Sequence, residues 1–504
     1  MQDPTPAPDQ PPAATVYQQF GFCDKVLTGL RNAFTRGRPH DWAKTFVLGL
    51  ICREDDGGLS SIVRALDLEP QAYDGLEKAF RSCAWSAELV TEQWEKAVAS
   101  DAPILKVAGR AVLCADGVLQ SKEGVKMPGV KRLHQHSSTS SKGDTIWGHM
   151  HGAVGVVCGE GANRHCVPLE VSIQDGMRAA AGWDGASDVG ICDETHPVQA
   201  TRASFNAARN LGMPCILTMD RYFMCEPVIS LLRKLNEEAG ECLVHLVTKA
   251  RKGCVGWYDP PEREPGTKGR PRKKGDKVDI FELFESAAFE LVEAEVNGER
   301  RPYDVCVVDL LWRLGKYFPL RFVLCVDSEG RREVLVTTDR TLTASQVITL
   351  YRHRWSCECS YRDMKQCLNA FGYRMWSKSM PELDRFAKRG DPDRLESVED
   401  GRDRELILGA YEAISRYVAL SCVATGILQI LACREDEEGE ITWSSYSRTP
   451  KSGGVSVEAV RRFMRKWVSS WVSNDTSSAT AAFIRERQVG EGGYRPDLQR
   501  KGRR

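Results

Sequence analysis

The sequence of 504 residues predicts an α/β protein with a helical region at each end. Apolar residues recur at helical spacing between about residues 17 and 100, which predicts a small helical domain. Strand-like and helix-like runs then alternate as far as residue 250, and this alternation is typical of a layered α/β fold. From there to about residue 340 only strand-like runs continue, so a β-rich stretch interrupts the α/β region.

These changes of pattern divide the chain into six regions, and no internal repeat is found. The first residues are rich in proline and are predicted to be disordered. The regions are a Pro-rich tail (1–15), a helical N-terminal domain (16–105), the first part of the core (106–250), a β-rich insertion (251–340), a further part of the core with one helix (341–380) and a helical C-terminal region (381–504).

Each element of the core has its own pattern. The run AVLCADGVL is a predicted strand, and HMHGAVGVVC with HCVPLEVSI is a predicted hairpin. A helix ending at Gly212 is followed by the strand PCILTMD, the helix CEPVISLLRKLNE and the strand ECLVHLVTKAR. After the insertion, Thr343 and Gln346 have the spacing of a capping box, which predicts that a helix begins just before Val347.

The composition indicates a soluble intracellular protein. Basic and acidic residues are equal in number at 69 each, so a nucleic-acid partner requires a local basic patch. The 18 cysteines are scattered without a CxxC pair, and no secretory leader is expected, so reduced cytoplasmic thiols are predicted. The apolar run over residues 417–432 contains polar residues and is interpreted as a buried helix, not as a membrane span.

The segment YRHRWSCECSYRDMK, which begins at Tyr351, carries the strongest functional signal. On a helix Arg354, Glu358 and Lys365 lie within about 60° of Tyr351 on the same side, because each residue advances by about 100°. Arg362 lies on that side too. A carboxylate among an aromatic ring and several cations suits a surface that holds a metal ion beside a polyanionic backbone. The segment therefore indicates a nucleic-acid partner.

Two aspartates accompany this helix. Asp116 and Asp220 each close an apolar run, VLCAD and CILTMD, and an acid at a strand end usually faces solvent or a ligand. With Glu358 they make three carboxylates, a set suited to two Mg²⁺ ions about 3.5 to 4 Å apart and to in-line phosphoryl transfer. Taken singly, each acid is better explained by a turn, a cap or a surface ion pair. Their joint placement favours the metal site.

The spacing Y-x2-R-x3-E-x6-K resembles the YREK signature of the DDE transposases of bacterial insertion sequences. The segments EGVKMPGVKRLHQHSSTSSK, DWAKTFVLGLI, GRPRKKGDKV and ATGILQILA are similar to members of the same group, so the resemblance covers the chain from about residue 20 onward. It implies a ribonuclease H-like catalytic core interrupted by the β-rich insertion, with the first aspartate on the first strand, the second on the fourth, and the glutamate on a helix after the insertion.

The resemblance also implies roles for individual residues. Asp116, Asp220 and Glu358 would be the catalytic residues and would bind two Mg²⁺ ions, for which Mn²⁺ would substitute. Tyr351, Arg354, Lys365 and the neighbouring Arg362 would hold DNA through a ring, a guanidinium fork and point charges. Within the insertion, Trp257 and Trp312 are candidates for stacking on an unpaired base, although core packing is the better explanation for either ring.

Two further patterns leave alternatives open. The loop GRPRKKG is either a DNA-binding arm or a solvated loop, and its cations are Arg270, Arg272, Lys273 and Lys274. Two HxH pairs have the spacing of zinc ligands, but ordinary polar residues explain them better; the pairs are His134 with His136 and His149 with His151.

The sequence thus predicts a cytoplasmic, nucleoid-associated bacterial transposase that binds terminal inverted repeats, cleaves the element ends and joins the 3′-hydroxyls to target DNA. A homodimer pairing two ends is expected, with no membrane partner. The N-terminal domain would read the repeats, either as a helix-turn-helix around residues 59–80 or through two simply packed helices. The C-terminal region would serve dimerisation or DNA contact. The alternatives are an endonuclease of the same core that performs no strand transfer and a domesticated DNA-binding regulator.

Overall fold

The computed structural model describes residues 13–135, 143–263, 269–296, 298–387, 390–434 and 454–490. Most of the Pro-rich tail, His136 and part of the insertion's polar loop lie outside these ranges. A large mixed sheet lies at the centre, with helices before and after it along the chain. The predicted α/β class is confirmed.

Five helices precede the sheet, as the helical spacing predicts. The second of them is buried along most of its length and packs on the third and fourth. The third and fourth form the short pair in which a helix-turn-helix is predicted, and that prediction stays open. The helices are α1 (Ala13–Gly29), α2 (Gly37–Cys52), α3 (Gly58–Ala65), α4 (Ala72–Phe80) and α5 (Ala87–Asp101).

The first part of the core contributes seven strands and two helices: β1 (Lys106–Val107), β2 (Arg110–Ser121), β3 (Lys131–His134), β4 (Thr145–Cys158), β5 (His165–Ile173), α6 (His196–Leu211), β6 (Cys215–Thr218), α7 (Glu226–Ala239) and β7 (Val244–Lys249). The strands follow the order β5-β4-β2-β6-β7. The pairs β5–β4 and β4–β2 are antiparallel, whereas β2–β6 and β6–β7 are parallel. Strand β2 therefore lies at the centre of this group.

The predicted insertion is rich in strands, but these strands continue the core sheet. They are β8 (Val255–Trp257), β9 (Lys277–Asp279), β10 (Glu290–Val296), β11 (Glu299–Trp312), β12 (Phe318–Asp327) and β13 (Arg332–Thr337), with one short helix, α8 (Leu283–Ser286). Strand β13 pairs antiparallel with β7, and β12, β11, β8 and β9 follow in order. Without β13, the N–H and C=O groups along this side of β7 would lack strand partners.

The signature segment is helical, with two irregularities. The capping box is confirmed, since the Thr343 hydroxyl accepts from the Gln346 N–H and the Gln346 side chain accepts from the Thr343 N–H. The helix is divided into α9 (Ala344–His353) and α10 (Trp355–Arg362), and a π turn follows over Asp363–Cys367. The expectation of one regular helix needs correction, because the junction at Arg354 and the wider π turn shift Lys365 from its ideal helical position.

The remaining described elements are α11 (Gly401–Arg434), α12 (Val457–Asn474) and α13 (Ala479–Arg485). Within the described ranges, α11 is the one helix long and apolar enough to cross a membrane, yet 94% of its most apolar window is buried inside the protein. It packs against β5, α2 and α5, and residues 417–432 are all buried. The interpretation of this run as a buried core helix is confirmed.

Candidate active site

The two aspartates lie side by side on parallel neighbours in the sheet. Cys114 of β2 is paired with Thr218 of β6. When both chains are followed for two more residues, Asp116 stands level with Asp220. Asp220 lies just beyond the end of β6, as predicted, but Asp116 lies inside β2, which continues to Ser121. The expectation that Asp116 lies at the end of its strand needs correction, because pairing with β4 extends β2 beyond the apolar run VLCAD.

Arg354 joins the first aspartate to the glutamate. Its Nη1 lies 3.1 Å from Oδ2 of Asp116, and its Nη2 lies 2.9 Å from Oε1 of Glu358. The Arg354 side chain is only 18% exposed, so these ion pairs are poorly screened by solvent. Although burial acts to lower the pKa of the guanidinium, the carboxylates outweigh it and the pKa is raised. A fixed cation thus stands between two predicted metal ligands.

The third carboxylate belongs to the same electrostatic site. Burial raises the pKa of Asp116 to about 6, and the negative charges of Asp220 and Glu358 act in the same direction. The Gly117 N–H, 2.7 Å from Oδ1 of Asp116, and the Arg354 guanidinium oppose the rise. Carboxylates whose charges act on one another need positive charge, which Arg354 supplies through Asp116 and Glu358.

Hydrogen bonds to the backbone fix the acids in place. The Tyr361 hydroxyl of α10 lies 3.3 Å from the carbonyl oxygens of both Asp116 and Ala153, which holds the signature helix against the strands. The Thr248 hydroxyl of β7 donates to the Asp220 carbonyl at 2.8 Å. The Asp220 side chain itself accepts from the Tyr222 N–H at 2.6 Å. Strand pairing and these bonds therefore set the spacing of the site.

The donor set fits a divalent metal in its chemistry. Three carboxylates from separate elements are the ligands that Mg²⁺ and Mn²⁺ prefer, and water and phosphate oxygens complete such sites. Among the described residues, no group of three or more His, Cys, Asp and Glu side chains is already arranged as a metal site. The Arg354 guanidinium bridges two of the three acids, Asp116 and Glu358.

The other signature residues lie around this centre. Burial raises the pKa of the Tyr351 phenol, with Arg354 acting in the opposite direction and Asp220 adding to the rise. Lys365 is exposed and donates to the Leu119 carbonyl of β2 at 2.9 Å. Arg362 is exposed and lies 3.8 Å from its neighbour Asp363. Tyr351 and Arg354 therefore share the acidic centre, and Lys365 reaches the same strand as Asp116.

The insertion residues lie in different surroundings. Arg270, Arg272 and Lys273 are exposed, and Lys274 places its ammonium 4.5 Å from the centre of the Trp257 ring. Trp257 is only 8% exposed, so stacking on a base would require this contact to open. Trp312 is half-buried and packs near Phe318. The base-stacking role of Trp257 and Trp312 stays a prediction, because in this structure both rings pack against neighbouring side chains.

The histidine pairs do not form a metal site in the described part of the chain. His149 uses both ring nitrogens, with Nδ1 2.6 Å from the Tyr373 hydroxyl and Nε2 2.8 Å from the Pro128 carbonyl. His151 lies 3.3 Å from the same hydroxyl. Burial lowers the pKa of His149 to about 3. These two histidines are buried polar residues, in agreement with the plainer interpretation of the HxH spacing.

The pKa of Asp116 leads to a prediction for metal-free protein. A folded-state pKa of about 6, against an ordinary 3.8, means that folding disfavours the ionised carboxyl. The resulting loss of folding stability is absent below a pH of about 4 and grows as the pH rises to about 6. Above that pH it is complete and amounts to at most about 3 kcal/mol. Asp116→Asn avoids it and still offers an oxygen to Arg354. We expect this variant to unfold at a higher temperature than wild type at pH of about 7.5 in EDTA.

Thermal unfolding at two pH values measures this effect. The stability gain of Asp116→Asn is expected at pH of about 7.5 and should vanish near pH 4. A gain of equal size at both values would contradict a raised pKa, because an uncharged packing effect does not depend on pH.

The sequence analysis did not mark one histidine that lies near the segment following Asp220. His196, at the start of α6, has its ring centroid 6.4 Å from that of Tyr222, which follows Asp220. No motif or periodic pattern marks it, because its position depends on the packing of α6 against β4. The sequence analysis also did not predict that Trp355, directly after Arg354, is 60% exposed to solvent.

Comparisons with known proteins bear on part of the chain. Residues 188–380 match the family described as Transposase DDE domain, a stretch that contains Asp220 and the whole signature but not Asp116. No curated protein matches the chain. Among solved structures, it is similar to a piggyBac transposase in a synaptic complex with hairpin DNA, with 10% identity, a TM-score of 0.36, and 97% of this chain and 88% of that chain covered. Over residues 188–380 the chain is thus similar to the DDE domain of transposases.

Proposed function

We propose that this protein is a DNA transposase that cleaves the ends of a mobile element and joins their 3′-hydroxyls to target DNA. The observation that carries the proposal is that Arg354 joins Asp116 to Glu358, while the charges of Glu358 and Asp220 both act on Asp116. Gathering three carboxylates is costly for folding, so stability alone does not explain the cluster. The match of residues 188–380 to the Transposase DDE domain supports the same function.

The acids are the proposed metal ligands. Asp116, Asp220 and Glu358 would hold two Mg²⁺ ions, with Mn²⁺ as a substitute. Bound there, the ions would lower the pKa of an attacking water and stabilise charge on the scissile phosphate. Because the pKa of Asp116 is about 6, this carboxyl is mostly ionised at neutral pH and available as a ligand.

Arg354 has two partners in this proposal. Without DNA its guanidinium neutralises Asp116 and Glu358. With DNA bound, the same planar fork would hold the oxygens of the scissile phosphate. Lys365, whose ammonium already lies against β2, adds a point charge nearby. The protein's own cations would thereby position the strand for in-line attack.

The wider organisation is proposed on the same basis. A ribonuclease H-like core is supported by the group of β2, β4, β5, β6 and β7, since Asp116 lies on its first strand in chain order (β2) and Asp220 follows its fourth (β6). Glu358 lies on a helix after the β-rich stretch. We propose membership in the YREK group of bacterial insertion-sequence transposases, action as a homodimer on terminal inverted repeats, and a cytoplasmic location at the nucleoid. The helical N-terminal domain is the proposed reader of the repeats.

A strand-transfer assay tests the function. Labelled duplexes carrying the ends of the element that flanks the gene are mixed with a target plasmid, with Mg²⁺ or with EDTA. Nicking at the 3′ ends and joined products, both only with Mg²⁺, are expected. Nicking without joining would favour the endonuclease, and binding without nicking would favour the DNA-binding regulator.

The exposed loop cations lead to a second prediction. Replacing Arg270, Arg272 and Lys273 with Gln is expected to lower affinity for DNA and to flatten its salt dependence, by about 0.9 units of slope for each phosphate that is no longer neutralised. Binding measured between about 50 and 200 mM salt gives the slope. A matched variant, Arg233→Gln with Arg331→Gln, removes exposed cations that pair with nearby acids and should leave the slope unchanged. If the loop variant kept the wild-type salt slope, the segment GRPRKKG would be a solvated loop without a role in DNA binding.

A further inference from the structure

A partly exposed stretch lies a few residues after the signature helix. In this stretch, the Trp376 segment (373–378), buried and exposed side chains alternate, which is typical of extended backbone. Tyr373 and Ser377 are buried, whereas Arg374, Trp376 and Lys378 are exposed. At 63% exposure, Trp376 is the most exposed tryptophan in the described part of the chain. The segment therefore presents an aromatic ring between two cations on one face.

Contacts with β2 and the loop after it fix the backbone of the Trp376 segment. The Lys122 ammonium donates to the carbonyl oxygens of Phe371 and Tyr373, and it lies 3.5 Å from the centre of the Tyr373 ring. The Ser377 N–H donates to the carbonyl of residue 126 at 3.2 Å. Because the backbone is already held, the exposed ring and cations lose little further freedom when they bind a ligand.

The Trp376 segment is docked on the same face of the sheet as the Asp116 carboxylate. Alternate residues of a strand share a face, and directly opposed residues of antiparallel strands do so too. Positions 118 and 120 of β2 therefore share the face of Asp116, and they oppose His151 and His149 of β4. The Tyr373 hydroxyl lies 2.6 Å from the His149 ring and 3.3 Å from the His151 ring. The segment thus packs on the side of β2 and β4 to which Asp116 points.

The distance from the acids suits bound DNA. Lys122, which holds the Trp376 segment, follows Asp116 by six residues, a span of about 20 Å at about 3.3 Å per residue. A stacked DNA strand covers about 20 Å in about six nucleotides, since each nucleotide advances by about 3.4 Å. DNA held at the acids can therefore reach this segment.

A cleft of about 1000 Å³ opens beside the exposed ring. It is lined by Trp376 with its two neighbouring cations and by residues of α3 and α4, among them Ser60 and Tyr73. Two of the three acids in this lining pair with arginines of the lining, and the third, Glu405, is outnumbered by the two exposed cations. Neither of these cations is ion-paired with an acid in the described part of the chain. The cleft therefore combines uncompensated positive charge with an aromatic ring.

We propose that the Trp376 segment binds unpaired nucleotides of the DNA strand that leaves the cleavage site, with Trp376 stacked on a base and Arg374 and Lys378 on the phosphates beside it. The proposal rests on the proposed function and adds a binding surface outside the acids, the signature and the insertion. An aromatic ring among cations is how proteins hold single strands, since every base offers a π face and every nucleotide a phosphate. Neighbouring bases cover both faces of a base inside a duplex, so the ring selects unpaired nucleotides.

Binding of two DNA probes in EDTA tests the surface without cleavage. Both probes are duplexes of the element end; one is fully paired, and the other ends in about six unpaired thymidines. Trp376→Ala is expected to weaken binding of the tailed probe about 5- to 100-fold, which is the loss expected for one stacked base, and to leave binding of the paired probe within about twofold of wild type. Trp376→Phe keeps a ring and should recover most of the lost affinity.

The two cations give a separate readout. Arg374→Gln with Lys378→Gln is expected to lower the salt slope of tailed-probe binding by about 0.7 units for each phosphate that is no longer neutralised. Trp376→Ala should leave this slope unchanged, because a ring neutralises no phosphate. Leu314, which is 61% exposed in the turn between β11 and β12, provides the control, and Leu314→Ala should change neither affinity nor slope.

These results are distinguishable from failure of the proposed function. If wild type does not nick element ends with Mg²⁺, the transposase proposal fails, while the binding comparison still decides whether the segment holds unpaired DNA. If Trp376→Ala binds the tailed probe like wild type, the ring serves contact with another protein instead and the proposal is overturned. An equal loss of affinity for both probes would overturn it too. Because the replaced side chains are exposed, every variant is expected to fold; thermal unfolding checks this, and affinities are compared at equal concentrations of folded protein.

Discussion

Asp116→Asn, Asp220→Asn and Glu358→Gln are each expected to abolish Mg²⁺-dependent nicking of element ends, while binding of the ends stays largely intact. Metal coordination needs the negative charge of the carboxylate, which the isosteric amides lack. Affinity for DNA comes mainly from cations, and none is removed. Nicking of a labelled end duplex under single-turnover conditions measures the first effect, and a binding titration measures the second.

Two ion-paired acids elsewhere provide controls. Asp309 is bound by Arg321 through both carboxylate oxygens, and Glu412 pairs with Arg416 at 2.7 Å four residues along α11. They reproduce the local chemistry of Asp116 and Glu358 without the cluster. Asp309→Asn and Glu412→Gln should nick normally wherever the protein folds. Wild-type nicking by a variant of one of the three site acids would remove that acid from the site.

The sequence predicted the fold class and the three acids because both depend on local patterns. Short apolar runs mark the strands, and the residues from Thr343 onward carry their own capping signal, which the structure reproduces. Asp116 and Asp220 were recognised at the ends of apolar runs. That they stand level on neighbouring strands follows from the pairing of β2 with β6, a contact between segments about a hundred residues apart. Only the resemblance to a known family suggested it beforehand.

What the sequence could not predict depends on long-range packing. The strands of the insertion extend the core sheet because β13 pairs with β7, and nothing in either strand specifies the partner. The ion pairs of Arg354 are a second example. Its helix partner, Glu358, was visible at i+4, but its bond to Asp116 was not. His196 was missed for the same reason.

Arg354→Ala and Lys365→Ala are expected to nick slowly, on the order of 100-fold below wild type, without losing nicking altogether. Both remove a cation that would position the scissile phosphate, and neither removes a metal ligand. Each phosphate that loses its cation should lower the salt slope of binding by about one unit. The nicking rate and the binding affinity are measured on the same end duplex across a salt series.

The structure separates the two variants further. Arg354→Ala also takes the cation from between Asp116 and Glu358, which leaves their charges uncompensated and should lower the unfolding temperature in EDTA. Mg²⁺ should restore more stability to this variant than it adds to wild type, because the metal takes over the missing charge. Lys365→Ala removes the bond to the Leu119 carbonyl but no cation from between the two acids, and should show no such dependence. A surface control, Arg233→Ala, should change neither rate nor slope, as expected for an exposed ion pair. Near-normal nicking and an unchanged slope in both signature variants would mean that the spacing from Tyr351 to Lys365 is a coincidence.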